Sequence, residues 1–205
     1  MSAKSEILKN VRRAIGEPSS SPPIRRSYIQ EAPVDLAQFA SRLEDYNAGV
    51  YHCSAGELPA VIAQAMAARG KQSLAIPPEF PSDWLPPGIG FVRDRDLTYE
   101  ELDASEGALT ACTAAISFTG TIILSHSAHE GRRALTLIPD YHLCIVREDQ
   151  VVQTVPEGIR KLRNIRTRPI TTISGPSATA DIEMTRIKGV HGPRTLDVVL
   201  VSSEP

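Results

Sequence analysis

Hydrophobic residues recur along the chain at two spacings, one typical of amphipathic helices and one typical of strands. The first helical pattern predicts a helix over residues 5–15 that ends at Gly16. Residues 17–33 hold four prolines and favour an extended tether, because proline lacks a backbone N–H and disfavours helix in the residue before it. The pattern leaves open whether the helix docks on a neighbouring molecule, moves freely, or packs on the chain's own core. Its apolar positions are Ile7, Leu8, Val11 and Ile15.

Helical and strand patterns alternate after residue 34. A helix, a strand, a second helix closed by Gly70 and a second strand follow one another, which predicts an α/β sheet with crossover connections. Residues 77–90 contain five prolines beside Trp84 and predict a loop, with a lid as one use for it. The predicted helices cover residues 36–46 and 58–66, and the predicted strands cover residues 50–53 and 73–76.

The second half of the chain is richer in strand patterns. Their apolar residues do not alternate with polar ones, which indicates strands covered on both faces, as in a largely parallel sheet. A helix around Val155 lies between two of these strands, and no segment is repeated. We therefore expect one α/β domain over residues 34–205, preceded by an N-terminal helix and tether over residues 1–33. The predicted strands cover residues 122–124, 143–146, 170–173 and 196–201.

Length and composition are those of an ordinary globular protein. The 205 residues are 41% hydrophobic and 22% charged, enough to bury a core without disulfide or metal support. A formal net charge of −2 argues against nucleic-acid binding through whole-chain positive charge. No apolar run approaches the ~20 residues of a membrane span, and the N-terminus lacks the apolar core of a signal peptide. We expect a soluble, cytoplasmic protein.

The cysteines limit the redox chemistry of the chain. Cys53, Cys112 and Cys144 are far apart in sequence and form no Cys-x-x-Cys pair. Alone they cannot build a disulfide framework or a four-thiolate zinc or iron–sulfur site. If the protein takes part in electron transfer, the redox centre must therefore belong to another molecule.

The stretch from Ile173 to Glu183 is the most informative candidate for a ligand site. A predicted strand runs into a Gly-Pro turn and then into a predicted helix that stops at Gly189. The free N–H groups of a helix N-terminus attract anions, so the turn would frame an anion site. The alternative is a well-capped helix without a ligand. The framing residues would be Ser174, Gly175, Ser177 and Thr179.

Two titratable residues near this stretch are candidates for catalysis. Asp181 and Glu183 would point to different faces of a helix, so they do not form a catalytic pair, and Asp181 is the better candidate because it is nearer the turn. An acid there also stabilises the helix dipole without any catalytic role. His191 is a candidate proton relay near neutral pH, or it hydrogen-bonds a turn.

Polar segments flank the predicted strand over residues 122–124. Thr119, Gly120 and Thr121 offer hydroxyls and a close backbone approach to a ligand, or they form only a tight turn. Arg132 and Arg133 carry guanidinium groups suited to a carboxylate or phosphate, although loop arginines are commonly solvated. A metal set is a weaker interpretation, because a loop sequence does not show that its ligands converge. Its ligands would be His126, His129 and Glu130, with Asp140 or His142 added.

The remaining patterns narrow the function classes. No glycine-rich phosphate motif and no G-x-S-x-G elbow occurs, which argues against a nicotinamide dehydrogenase, a P-loop nucleotidase and an α/β-hydrolase. A local basic run forms either a solvated helix face or a docking patch for an acidic partner. Its residues are Arg160, Lys161, Arg163, Arg166 and Arg168.

Three of these motifs together resemble the lactate utilization protein C family, whose members contain the LUD domain. They are the Thr119–Thr121 triplet before an apolar strand, residues 174–183, and residues 189–194, which are the most specific block. Arg133 and the N-terminal helix with its tether also fit, and the resemblance covers roughly residues 34–202. One position departs from the family, which usually has an acidic residue where this chain has Phe118. A site that depends on that carboxylate would be altered here.

The resemblance implies a Rossmann-like three-layer α/β domain of the sugar-isomerase and CoA-transferase type. It also implies a role in oxidising L-lactate to pyruvate beside iron–sulfur and cysteine-rich partner proteins. On this interpretation the clusters reside on the partners and this chain carries no cofactor. The chain would bind a small anion between the Thr119–Thr121 and Ser174–Asp181 loops, with Arg133 neutralising the charge. Whether the chain is itself catalytic stays open.

Two other function classes remain. A stand-alone transferase or isomerase acting on a phosphorylated or CoA-linked small molecule is compatible with related folds, but fold alone licenses no function. A scaffold that uses the N-terminal helix and the basic run to bind partners would leave the cleft empty.

Overall fold

The computed structural model describes residues 3–15, 27–165, 167–179, 187–188 and 192–202. Its helices are α1 (Ala3–Ile15), α2 (Leu36–Asp45), α3 (Leu58–Ala68), α4 (Tyr99–Asp103) and α5 (Val155–Lys161). Its strands are β1 (Gly49–Cys53), β2 (Ser73–Ile76), β3 (Gly90–Arg93), β4 (Ala108–Thr110), β5 (Ala114–Ile116), β6 (Thr121–Leu124), β7 (Tyr141–Arg147), β8 (Val151–Val152), β9 (Thr171–Ile173), β10 (Ala178–Thr179), β11 (Ile187–Lys188) and β12 (Thr195–Val201).

A central sheet of six parallel strands has the order β1-β12-β7-β4-β2-β3. Strands β7 and β12 are its longest, with Tyr141 opposite Thr195 at their amino ends. Helices α2 and α3 and strands β1 and β2 lie where the sequence predicts them. The predicted Rossmann-like α/β architecture is thereby confirmed.

A second sheet has the order β8-β5-β6-β9, and β6 is antiparallel to both of its neighbours. Of the strands predicted over residues 122–124 and 170–173, residues 122–124 and 171–173 lie in this second sheet, so the prediction that they belong to the largely parallel sheet is wrong. A short apolar run reports burial but not strand direction. Direction follows here from the short turn between β5 and β6, which permits only antiparallel pairing.

Alternate residues of the central strands face two separate cores. Leu143 and Ile145 of β7 pack with α3 on one face, whereas Cys144 and Val146 pack with α2 and the second sheet on the other. Strand β12 divides in the same way, with Val199 on the α3 side. This burial of both faces explains why the two strands read as continuous apolar runs, and it defines three layers.

A buried ion pair closes the amino end of β12. Asp197 is fully buried and accepts hydrogen bonds from Arg69 Nε at 2.9 Å and Nη2 at 2.6 Å. Tyr141 Oη donates to the same carboxylate at 3.0 Å, and burial together with this negative charge raises the pKa of Tyr141. Gly49 lies beside it, where a Cβ atom would stand 2.3 Å from Asp197 Oδ1.

The proline-rich segment over residues 77–90 forms a loop, as predicted, with a short 3₁₀ turn at Ser82–Trp84. Phe80 is buried and meets Trp84 edge to face, with ring centroids 5.8 Å apart. Both side chains pack on the core beside α3. This anchoring argues against use of the loop as a lid.

The predicted N-terminal helix is confirmed as α1, and every one of its residues is exposed. The helix therefore does not pack on the core of its own chain, which excludes that alternative. No helix within the described ranges is long and apolar enough to cross a membrane.

The prediction of a helix after Ser177 is wrong at both ends of the predicted segment. Ala178–Thr179 and Ile187–Lys188 are strands that pair antiparallel. Cap-like residues at the two ends suggested a helix, but the β-branched Thr179 and Ile187 suit a strand pair equally well. The helix N-terminus invoked for anion binding is therefore absent from this position, and residues 180–186 lie outside the described residues.

The contact between Gly49 and Asp197 gives a direct test of the packing. Replacing Gly49 by Ala places a methyl group against a buried carboxylate, and we expect a loss of about 1–3 kcal/mol in the free energy of unfolding. Gly56→Ala is the matched control, because nothing lies within 4 Å of its Cβ position. Urea unfolding of both variants measures the difference, and equal stabilities would contradict the described packing.

Candidate anion-binding site

A cavity of about 230 Å³ lies at the amino ends of β7 and β12, next to β9. Three polar segments converge on it: the turn that begins at Arg133, the stretch from β9 to Ser177, and the residues before β12. Ligands in open α/β sheets usually sit at the carboxyl ends of parallel strands, so this placement departs from the expectation. Its lining residues are Arg133, Thr136, His142, Thr171, Thr172, Ile173, Ser174, Gly175, Pro176, Ser177, Gly192, Pro193 and Leu196.

Two adjacent arginines have different surroundings. Arg132 donates hydrogen bonds from Nε and Nη2 to the buried carboxylate of Asp94, both at 2.9 Å, and also donates to the Leu97 carbonyl. Arg133 is exposed, and among the residues that the structure describes its guanidinium contacts only Thr136, at 3.4 Å. Within the described part of the chain, Arg133 has no carboxylate partner. The guanidinium of Arg132 is thus occupied by Asp94, whereas the guanidinium of Arg133 is available to bind an anion.

His142 is a buried polar residue in the cavity wall. Only Thr110, among the described residues, hydrogen-bonds to its ring, with Oγ1 at 2.9 Å from Nε2. Burial, with a smaller contribution from the charge of Arg133, lowers the pKa of His142 from 6.5 to about 4. The imidazole is therefore neutral near pH 7 and adds hydrogen-bonding capacity to the cavity without adding charge.

A buried carboxylate organises the loop after β6. Glu130 accepts hydrogen bonds from the backbone N–H groups of Ser125 at 2.6 Å and Ser127 at 3.1 Å, and from Thr113 Oγ1 at 2.5 Å. The loop holds His126 at a φ of 54°, and the ring spans from the Gly131 carbonyl at 3.0 Å to Thr171 Oγ1 at 2.9 Å. Because Thr171 lines the cavity, this network fixes one wall of the site.

The same contacts argue against the metal interpretation. Glu130 accepts from backbone N–H groups of the loop, whereas the His126 ring contacts the Gly131 carbonyl and Thr171 of β9, so the two side chains are held by different partners. No cluster of three or more His, Cys, Asp or Glu that could hold a metal occurs in the ranges that the structure describes.

The Thr119–Thr121 triplet reaches the cavity only through a chain of hydroxyls. Thr119 Oγ1 lies 2.7 Å from Thr121 Oγ1, which lies 2.8 Å from Ser174 Oγ. Gly120 turns the chain with a φ of 61° and packs against Arg42, where a Cβ would come within 2.7 Å of that side chain. Of these residues only Ser174 lines the cavity.

The remaining predicted residues fall into three groups: two line the cavity, one belongs to a strand, and two lie outside the described residues. Gly175 and Ser177 line the cavity, and a Cβ on Gly175 would stand 2.4 Å from Tyr46, which requires glycine there. Thr179 belongs to β10. Asp181 and His191 lie outside the described residues, so their roles stay predictions.

Sequence reasoning treated His142 only as an additional metal ligand and did not single out Thr136 or Thr171. A signal for His142 was available in the sequence: it is a polar residue within a run of apolar strand residues, and a buried polar residue needs a hydrogen-bond partner. Phe118 is exposed and lines a different, apolar groove, so its side chain does not contribute to the cavity of Arg133.

The LUD domain family model matches residues 36–201, so the chain belongs to the LUD domain family. A lactate utilization protein C from Deinococcus radiodurans is 47% identical over 97% of this chain and 95% of its own length. A lactate utilization protein C from Bacillus subtilis is 30% identical over 53% of this chain and 49% of its own length. The crystal structure of a DUF162 family protein from Deinococcus radiodurans is 45% identical, with a TM-score of 0.72 over 82% of this chain and 99% of that one.

The lowered pKa of His142 predicts a pH dependence of stability. The unfolded chain takes up a proton near pH 6.5 whereas the native chain does so near pH 4, so stability falls as the pH drops through this window. Between pH 7 and pH 5 we expect the wild type to lose about 2 kcal/mol more than His142→Gln. Urea unfolding at both pH values measures this, and equal losses would show that His142 is not buried as a neutral group.

Proposed function

We propose that this protein is a subunit of an L-lactate utilization system and binds a small carboxylate, such as lactate or pyruvate, in the Arg133 cavity. The observation that carries the proposal is an exposed guanidinium, without a carboxylate partner among the described residues, at a small cavity lined by hydroxyls. Homologues named lactate utilization protein C support the choice of metabolite.

The chemistry of the cavity suits such a ligand. A guanidinium fork matches the two oxygens of a carboxylate. Ser174 and neutral His142 provide groups able to bond the hydroxyl or keto oxygen beside it. Cavities for drug-sized ligands run to about 300–1,000 Å³, so a cavity of about 230 Å³ favours a molecule of few atoms.

The electrons released by lactate oxidation need an acceptor. The three cysteines of this chain are buried thiols and do not form a cluster site among the described residues. We therefore assign the acceptor to iron–sulfur and cysteine-rich partner proteins in the cytoplasm, with no redox cofactor on this chain. Asp181 and His191 remain the candidates for moving protons.

One observation favours an alternative. A second cavity of about 400 Å³ adjoins Arg133 and is lined mainly by the loop that holds His126, with Pro78 and Pro169. It offers room for the larger group of a phosphorylated or CoA-linked substrate, as in a stand-alone transferase or isomerase. Turnover of such a substrate by the purified chain alone would favour this alternative, whereas dependence on iron–sulfur partners would favour the first.

Neighbouring arginines provide a matched pair for testing ligand binding. Arg133→Gln should weaken the binding of pyruvate or L-lactate at least about tenfold, measured by titration calorimetry, and leave the unfolding midpoint unchanged. Arg132→Gln should lower the midpoint, because it leaves the buried Asp94 unpaired, while binding by the folded protein persists. Equal affinity in Arg133→Gln and wild type would contradict the proposed site.

Growth tests the cellular role. Replacing Ser177 and Asp181 by Ala in the source cell should abolish growth on L-lactate while the protein still accumulates to its normal level. Growth of the same strain on another carbon source is the control for general fitness. Full growth on L-lactate would remove both residues from the proposed site.

A further inference from the structure

Exposed apolar side chains collect in one groove away from the Arg133 cavity. This apolar groove, about 840 Å³ in volume, is walled by residues 28–32, the turn after β5, and α5. Ile29 is 72% exposed and Phe118 58% exposed, both high for side chains of this size. Contiguous apolar patches on protein surfaces commonly mark sites covered by another element. The exposed apolar side chains of the groove are Tyr28, Ile29, Phe118, Val155 and Ile159.

The groove is held in shape by specific hydrogen bonds. The Gln30 carbonyl accepts from Thr154 Oγ1 at 3.1 Å and from Arg160 Nη2 at 2.8 Å. Arg160 also pairs with Glu31 at 3.0 Å, which fixes residues 30–31 against α5. Thr154 and Glu157 form a capping box that defines the start of α5. The walls are therefore formed before any partner binds, which reduces the entropic cost of docking.

Helix α1 carries an apolar face of matching character. At 3.6 residues per turn its four large aliphatic residues fall within an arc of about 100°, and Lys9 and Arg13 fall on the opposite side. Arg12 lies at the border of this arc, and Lys4 lies within it in the first turn. Thirteen residues give a helix about 20 Å long. Ile15 is 68% exposed and no residue of the helix is buried. The aliphatic residues are Ile7, Leu8, Val11 and Ile15.

We propose that the apolar groove of each molecule receives α1 from a second copy of this chain, in a reciprocal exchange of N-terminal helices. An amphipathic helix in an apolar groove is a recurring recognition mode, and docking would leave the basic side of α1 in solvent. The groove and the helix belong to the same chain, so each molecule supplies both halves of the contact. Reciprocal exchange closes the assembly as a two-fold dimer.

The position of α1 favours exchange over docking of the helix in its own groove. No residue of α1 is buried, so the helix does not occupy the groove of its own molecule. Residues 16–26 join α1 to the residue before Tyr28, which itself lines the groove. Eleven residues reach up to ~40 Å when extended, enough to cross to a neighbouring molecule.

Oligomeric state tests the proposal with the full chain. Light scattering and sedimentation should give twice the 22.2 kDa of the chain for the wild type. Val11→Glu in the helix and Ile159→Glu in the groove should each raise the dimer dissociation constant at least about tenfold. Both positions are exposed, so folding should be unaffected. Lys9→Glu on the opposite side of α1 and Tyr99→Ser, an exposed apolar residue on α4, are controls that should remain dimeric.

Mixing the two disrupted variants distinguishes reciprocal exchange of α1 from other ways of forming a dimer. Val11→Glu keeps an intact groove and Ile159→Glu keeps an intact helix, so together they retain one helix–groove contact. The mixture should form a heterodimer, weaker than the wild-type dimer but tighter than either variant alone. A monomeric wild type, a dimer that survives both substitutions, or a mixture that stays monomeric would each overturn the proposal.

Discussion

Burial of both faces of β7 and β12 is the constraint from which the rest of the structure follows. A strand covered by α3 on one side and by α2 and the second sheet on the other has no room for unpaired polar groups. The two polar residues buried within these strands are accordingly bonded, Asp197 to Arg69 and His142 to Thr110. Both lie at the amino ends, where the strands meet the loops, and the Arg133 cavity opens at the same end.

The sequence predicted the elements with long or regular patterns, such as α2 and α3, and failed where the patterns were short. Two strands of three and four residues, β9 and β6, carried no information on direction, and the cap-like residues around Ser177 were taken for a helix although β10 and β11 form a strand pair. The site shows the same limit. Arg133, Ser174 and Ser177 were predicted, but only the structure shows that Arg132 is paired with Asp94, because this partner is 38 residues away in sequence.

The turn between β5 and β6 lies between the two surfaces described here. Phe118 faces the apolar groove, while Thr119 begins the hydroxyl chain that passes through Thr121 to Ser174 at the cavity. Membership in the LUD domain family and 47% identity to a lactate utilization protein C set the metabolic context. Within it, the proposed role as an anion-binding subunit that works with partner proteins accounts for a cavity with an available guanidinium on a chain whose cysteines are buried thiols.

The most direct measurement is a pair of crystal structures, one grown with pyruvate and one without. The account predicts difference density for the carboxylate against the guanidinium of Arg133, with its remaining atoms beside Ser174 and His142. Density for pyruvate at another position, or a cavity still empty at a pyruvate concentration that saturates binding in solution, would contradict it.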